Sequence, residues 1–303
     1  MQDYIDREED LRQQAIEEHK RKMAEDQARL QHRNRCIASC CYVVGGGAFG
    51  VFIRWLQVQT AFTEDGLANK SAFNLLLPIF VLGCIYAFRR LLKQREREGF
   101  VLPEDFQSAL VNRGLIFTVL RWAVGGIMCI GALLLFSESA TDKNTEMVKV
   151  LAATAFLSGV SYPLLLTVAS REGRRPYFCR LYATMPIVMF SVWLVVCYKT
   201  NAINSEGWSF VVELLAIIAA LLAFFRMAGF AFGVADTKKS MFYAMFGGTM
   251  CIMALADERH TGMQIIFLAA AMMLTLYGAI MTNNFRVKKK EAAPPPDDGF
   301  ERL

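Results

Sequence analysis

Histidine is scarce in this chain, and it is absent from the long apolar segments. The 303 residues include only His19, His32 and His260, and all three lie outside the apolar runs. A membrane haem needs axial ligands such as paired histidines, and a buried zinc or di-iron centre needs histidine or clustered acidic ligands. The sequence therefore predicts no metal site and no cofactor.

Cysteine and catalytic motifs add little chemistry. The eight cysteines form no CxxC pair, and six of them lie in apolar runs, where cysteine behaves as a small hydrophobic residue. The chain has neither a GxxxxGK[ST] phosphate loop nor a GxSxG nucleophile turn. No catalytic residue is assigned, which favours a protein that is not an enzyme and leaves an enzyme among the alternatives below.

The composition is too apolar for a soluble protein. Hydrophobic residues make up 54% of the chain, against about 45–50% in an ordinary globular domain. Residues 1–35 and 283–303 are almost wholly polar, which concentrates the excess in residues 36–282. The net charge of +5 does not indicate nucleic-acid binding, because the basic residues flank apolar runs, where they orient helices in the bilayer. The sequence predicts an all-α polytopic membrane protein whose surroundings are lipid.

Eight apolar segments are long enough to cross a bilayer, which takes about 20 residues. They predict an eight-helix transmembrane domain over residues 36–282, preceded by a charged cytoplasmic helix (1–35) and followed by a disordered cytoplasmic tail (283–303). The predicted spans are 36–53, 72–88, 115–136, 148–169, 181–198, 208–232, 241–256 and 263–282.

The basic residues alternate with the spans. Sixteen lie at the ends where even-numbered spans finish, and six lie at the opposite ends. Because basic loops stay in the cytoplasm, both termini are expected there, most simply in a plasma or cytoplasmic membrane.

The N-terminal segment favours a long helix. Residues 1–44 contain neither glycine nor proline, and four Glu-to-basic pairs stand at the favourable i,i+4 spacing. Ile16, Met23 and Leu30 recur every seven residues, although the second heptad core position is polar. A solvated helix is one interpretation, and a docking arm for a cytoplasmic protein partner is the other. A further short amphipathic helix is predicted at the membrane surface over residues 103–114.

Two spans share a glycine motif. Residues 125–133 and 247–255 match at seven of nine positions, and residues 45–50 carry a looser version. This predicts tandem two-helix hairpins, repeated up to four times, with chance similarity as the alternative. Small residues let helices approach closely in lipid, so the predicted helix-packing positions are Gly45, Gly46, Gly50, Gly125, Gly126, Gly247 and Gly248.

Charged residues inside the spans are the candidate functional groups. Arg54 and Glu213 fall toward the outer side, where we expect an ion pair or a coupling carboxylate. Arg121 and Arg226 fall toward the cytoplasmic side, where the alternatives are snorkelling to the interface and a cationic pocket for an anionic ligand.

Three functional hypotheses follow. The first is a membrane scaffold, sensor or complex subunit that presents its cytoplasmic helix to a partner. The second is a transporter or channel for a small or lipid-like solute, suggested by the repeats and the glycine-rich helices. The third, an enzyme acting on a lipid head group, would require Asp105, Arg171, Glu172 and Arg174 to converge.

Overall fold

The computed structural model describes residues 2–60, 73–97, 100–101, 106–110, 114–140, 146–169, 176–201, 210–284 and 286–287. The regular secondary structure of this part of the chain is helical apart from two short strands. The elements in chain order are α1 (Gln2–Thr60), α2 (Phe73–Arg97), β1 (Phe100–Val101), α3 (Phe106–Leu110), α4 (Leu115–Ala140), α5 (Glu146–Ala169), α6 (Pro176–Asn201), α7 (Val211–Phe232), α8 (Thr237–Met253), a 3-10 turn (Ala254–Ala256), α9 (Thr261–Asn283) and β2 (Arg286–Val287).

Eight of these helices are long and apolar enough to cross a membrane, which confirms the eight segments predicted from the sequence. The chain is therefore a multi-pass membrane protein. Several helices extend beyond the apolar window that predicted them, because polar residues continue a helix outside the hydrocarbon. The helix over Thr237–Ala256 has the lowest hydropathy of the eight but is among the most buried, so protein neighbours surround it in place of lipid.

The helices pack mainly as neighbours in sequence, with α8 and α9 at the centre. In α9 78% of the apolar window is buried, against 22% in α2. α1 packs against α8 and α9 as well as α2, and α4 packs against both α5 and α9. We call the end where α2, α7 and α9 finish the basic end, and the end where α1 and α4 finish the opposite end.

α1 is one continuous helix of 59 residues, as the N-terminal composition predicted. At 1.5 Å per residue it is about 88 Å long. Its apolar part covers Asn34–Thr60, so residues 2–33 extend the same helix beyond the span. One of the predicted i,i+4 pairs, Glu18–Lys22, closes at 2.8 Å.

The predicted surface helix is corrected by the structure. Within the predicted range 103–114, α3 covers Phe106–Leu110, and Ala109 and Leu110 on it are fully buried against the bundle, so this part does not lie on the membrane surface. Residues 103–105 and 111–113 lie outside the described residues. Asn284 at the end of α9 donates a hydrogen bond to the Ala109 carbonyl at 2.8 Å. β1 pairs antiparallel with β2, Phe100 opposite Val287. Paired backbone thus reaches into the predicted tail, whose residues 288–303 lie outside the described residues.

A tight connection joins α7 to α8 at the basic end. Gly233 closes α7 in the left-handed conformation (φ 81°), which glycine adopts without a Cβ clash. Asp236 then caps α8 by accepting a hydrogen bond from the Lys239 amide at 3.0 Å. Partial burial alone would raise the pKa of Asp236, but the hydrogen bonds and charge of Lys239 outweigh it and hold that pKa below its usual value.

Candidate functional site

Four charged side chains form a network at the opposite end of the bundle. The charge network consists of Arg54 on α1, Glu213 in the first turn of α7, and Asp257 and Arg259 between the 3-10 turn and α9. The Arg54 Nε donates to Asp257 Oδ1 at 2.6 Å, and the Arg259 guanidinium donates to Asp257 Oδ2 at 2.7 Å. Asp257 therefore bridges two arginines with its two carboxylate oxygens.

Glu213 joins the network from α7. Its Oε2 lies 3.3 Å from the Arg259 Nε, and its Oε1 accepts a hydrogen bond from the Trp193 indole at 3.1 Å. Arg259 also donates to the Ala254 carbonyl at 2.9 Å, which satisfies one of the orphan carbonyls at the end of α8. The network has two positive and two negative groups, so it is neutral as a unit.

An amide relay extends the network to α2. The Arg54 guanidinium donates to Gln57 at 2.7 Å, and the Gln57 amide donates to Asn74 at 3.0 Å. Arg54 and Gln57 are 2% and 6% exposed, so these bonds lie in a low-dielectric setting, where they are stronger than in water. Side chains from α1, α2, α6, α7 and the approach to α9 are thereby fixed to one another.

Aromatic side chains form the floor below the network. The Arg259 guanidinium stands 5.1 Å above the Phe267 ring, and Phe267 lies 4.1 Å from Trp193 between ring centroids. Phe190 continues the stack to Phe224 on α7. All four rings are buried. They exclude water from beneath the ion pairs and fill the bundle interior at this end.

The structure corrects the expectation of a direct ion pair between Arg54 and Glu213. The two residues join through Asp257 and Arg259, because the 3-10 turn brings residues 257–259 back over the helix ends. Asp257 and Arg259 lie between the predicted spans 241–256 and 263–282, and their side chains are only 11% and 8% exposed. Their proximity to Glu213 could not be inferred from spacing along the chain.

A second polar cluster, at the basic end, escaped the sequence prediction. Arg95 on α2 is 6% exposed and donates to Thr282 on α9 at 3.1 Å. It also donates to the Ser39 hydroxyl and, at 3.4 Å, to the Arg35 carbonyl on α1. In the sequence Arg95 stands among other basic residues, which concealed its different role.

Arg121 and Arg226 do not come together. Arg121 is buried in α4, which packs on α5 and α9, whereas Arg226 lies on α7, which packs mainly on α6 and α8. The cationic pocket expected from this pair is therefore not formed. The residues of the lipid head-group hypothesis, 105 and 171–174, lie outside the described part of the chain.

The predicted glycines divide into three groups. A Cβ at Gly125 would lie 2.6 Å from the Gly159 carbonyl oxygen, so close packing requires glycine there. A Cβ at Gly50, Gly247 or Gly248 would meet a neighbouring helix at 3.0–3.1 Å, so the neighbouring side chain would have to shift slightly. A Cβ at Gly46 would make only ordinary contact, and at Gly45 and Gly126 it would meet nothing within 4 Å, so helix packing does not require glycine at these three. Gly47, Gly131 and Gly159 make close approaches that the sequence prediction missed.

Three glycines of α1 have the spacing of a nucleotide-binding motif, but the structure argues against such a site. Gly45, Gly47 and Gly50 have the GxGxxG spacing of a dinucleotide-binding turn. That motif works between a strand and a helix N-terminus, whereas these residues lie in the middle of α1.

Chemically, the charge network is built to hold helices together. Its carboxylates are already engaged by guanidinium groups, and no group of three or more His, Cys, Asp or Glu within the described ranges could hold a metal ion. Deeper in the bundle, the Tyr162 hydroxyl donates to the Met273 carbonyl at 2.8 Å and ties α5 to α9.

Comparisons with known proteins found no matching protein family, no matching curated protein and no matching solved structure.

Proposed function

We propose that this protein is a membrane scaffold or complex subunit that presents the N-terminal part of α1 to a protein partner in the cytoplasm. The observation that carries the proposal is an apolar stripe on the part of α1 outside the span. Ile16, Met23 and Leu30 are 54%, 53% and 47% exposed, and residues seven apart lie on nearly the same helix face. Three aligned apolar side chains on a helix segment rich in charged residues are the pattern that a second helix recognises.

The closed construction of the bundle supports this proposal over transport. A transporter is expected to hold its charged groups in a solvated path at mid-membrane. Here Glu213 is bonded to Arg259 and Trp193, and Arg54 to Asp257, at one end of the bundle. Stacked aromatic rings lie beneath them. Transport of a small or lipid-like solute remains the alternative that the experiment below distinguishes.

The proposal includes the orientation of the chain in the membrane, and the tandem two-helix hairpins are a separate hypothesis. The excess of basic residues supports placing both termini in the cytoplasm, and a plasma or cytoplasmic membrane is proposed on the same ground. The tandem-hairpin hypothesis stays a prediction. Both matched glycines meet the next helix in sequence, Gly125 on α5 and Gly247 on α9, and Gly247 also meets α7, the preceding helix.

The test is the composition of the particle extracted in mild detergent. The variant Ile16→Ser/Met23→Ser/Leu30→Ser removes the stripe without changing charge or length. The matched control, Glu18→Ser/Lys22→Ser, alters two exposed residues that lie off the stripe and keeps the net charge.

We expect a stoichiometric companion protein with the wild type and the control, and its loss from the stripe variant. A particle containing only this chain in all three preparations would contradict the scaffold proposal. Ligand screening for a transported solute would then be the next step.

A further inference from the structure

The α1–α2 side of the bundle contains an apolar groove in its membrane region. The groove has a volume of about 350 Å³, and its walls include Tyr42 and Gly45 on α1 and Phe80, Gly83 and Ala87 on α2. α2 is the least buried of the eight spans, so this face is open to the bilayer. Only carbon-rich side chains and bare helix backbone are presented at these positions.

Two glycines keep the groove open without any packing need for glycine. A Cβ at Gly45 or Gly83 would meet no atom within 4 Å. Glycine inside a helix is destabilising relative to alanine, so helix stability alone would favour a larger residue at both positions. The feature that a side chain there would abolish is the groove itself.

The same face of α2 turns basic as it leaves the apolar region. Residues 83, 87, 90, 94 and 97 follow one another at alternating steps of four and three, which places them on one helix stripe. The last three, with Arg89 and Lys93, line a cavity of about 530 Å³. Arg90, Lys93 and Arg97 are exposed, and the neighbouring Glu96 is engaged by Lys238 of α8 at 2.7 Å.

We propose that this face binds one anionic phospholipid, whose acyl chain lies in the groove at Gly45 and Gly83 and whose phosphate lies among Arg90, Lys93 and Arg97. A lipid matches the order of the two surfaces, apolar within the span and cationic where the span ends. Basic pockets beside transmembrane helices on the cytoplasmic side are suited to anionic head groups. This site does not depend on the partner proposed for the N-terminal part of α1.

The test uses the full-length chain, delipidated in detergent, with lipid retention measured by native mass spectrometry. Dioleoylphosphatidylglycerol is the probe, and dioleoylphosphatidylcholine has the same chains without net charge. Glycerol 3-phosphate supplies the charged group without chains. The groove variant is Gly45→Leu/Gly83→Leu, and the charge variant is Arg90→Gln/Lys93→Gln/Arg97→Gln.

Two controls match these variants. Gly126→Leu places a leucine at another open helix position, and Arg180→Gln/Arg226→Gln/Lys239→Gln removes three charges from the same end of the bundle while leaving the Lys238–Glu96 pair intact. We expect one phosphatidylglycerol per wild-type chain, and at least tenfold lower retention by either test variant. Both controls should stay within twofold of wild type. The charge variant keeps the test decisive if the groove variant does not fold, because its three residues are exposed.

Four results would overturn the proposal. Equal retention of phosphatidylcholine would remove the head-group selection, and equal binding of glycerol 3-phosphate would reduce the site to an anion site. Equal losses in the charge variant and its control would mean a general charge effect. A transmembrane helix of another protein found crosslinked along Gly83 and Arg90 would give the face a different occupant.

Discussion

Arg54 and Asp257 are 203 positions apart in the chain and share a hydrogen bond of 2.6 Å. This contact ties the first span of the protein to the turn before its last span. Both side chains are nearly excluded from solvent, and the carboxylate also holds Arg259. The first helix of the bundle is thereby anchored to the central pair, α8 and α9, and the ion pairs at this end are mutually dependent.

Neutralising Asp257 should destabilise the protein strongly. Asp257→Asn leaves Arg54 and Arg259 without their shared counter-charge, and breaking a buried pair from one side costs about 3–5 kcal/mol. Thermal unfolding in detergent measures the effect. Glu146→Gln is the control, because its pair with Lys149 is exposed on the glutamate side and such pairs contribute about 0–1 kcal/mol. Similar melting temperatures for the two variants would contradict the structural role of the network.

Arg54 and Glu213 should be energetically coupled although they do not touch. Residues in one hydrogen-bonded network show interaction energies of about 0.5–3 kcal/mol in double-mutant cycles. We expect Arg54→Met and Glu213→Gln to be non-additive when unfolding free energies are compared with those of the double variant. Strict additivity would show that Asp257 and Arg259 do not transmit the coupling. If Glu213→Gln changes neither stability nor function, the ion-pair and the ligand-binding roles of this residue both fail.

Two adjacent glycines should respond in opposite ways to alanine. A Cβ at Gly125 would lie 2.6 Å from the Gly159 carbonyl oxygen, a backbone atom that can move only if α5 moves. Overpacking of this kind costs about 1–3 kcal/mol, so Gly125→Ala should lower the melting temperature. Gly126→Ala meets open space and should be neutral or slightly stabilising. A loss of stability in Gly126→Ala as large as in Gly125→Ala would refute the assignment of close packing to Gly125 alone.

Arg95 should not tolerate lysine. Its guanidinium reaches acceptors on α1 and α9 at once, and a lysine ammonium lacks the planar fork needed to hold them together. Arg95→Lys is expected to cost about 1–3 kcal/mol, because a buried acceptor or donor is left unsatisfied. Arg97→Lys, two residues further on and exposed, provides the control. Equal stability of the two variants would show that only the positive charge matters at position 95.

The cap of α8 should make stability sensitive to acid. The pKa of Asp236 is lowered in the folded state, so its contribution is present above the ordinary aspartate pKa and is lost as pH falls through the folded value. Asp236→Asn should melt below wild type at pH 7, and the difference should shrink at a pH below the ordinary aspartate pKa. Asp236→Ala also removes the cap, which costs about 1 kcal/mol. A constant difference between wild type and Asp236→Asn at both pH values would contradict this account.

The helices were predictable because the signal for a span is local, whereas the site depends on distant contacts. Twenty apolar residues indicate a span by themselves, and Arg54 and Glu213 stood out because charge is rare in such windows. The partners Asp257 and Arg259 resembled an ordinary polar loop, since nothing in their local sequence shows that the loop folds back over the helix ends. The sequence prediction missed Arg95 because it stands among other basic residues. Only the folded structure shows that Arg95 is buried while those neighbours are exposed.

The position of α1 against α8 and α9 has a consequence for biosynthesis. A ribosome adding about 5–20 residues per second finishes Arg54 some 10–40 seconds before Asp257 exists, given the 203 residues between them. During that interval Arg54 cannot pair with Asp257, because the last hairpin has not yet been synthesised. The nascent helix must keep Arg54 near the head groups or beside another protein until the last hairpin enters the membrane. Arrival of the final two helices is thus the step that completes the bundle.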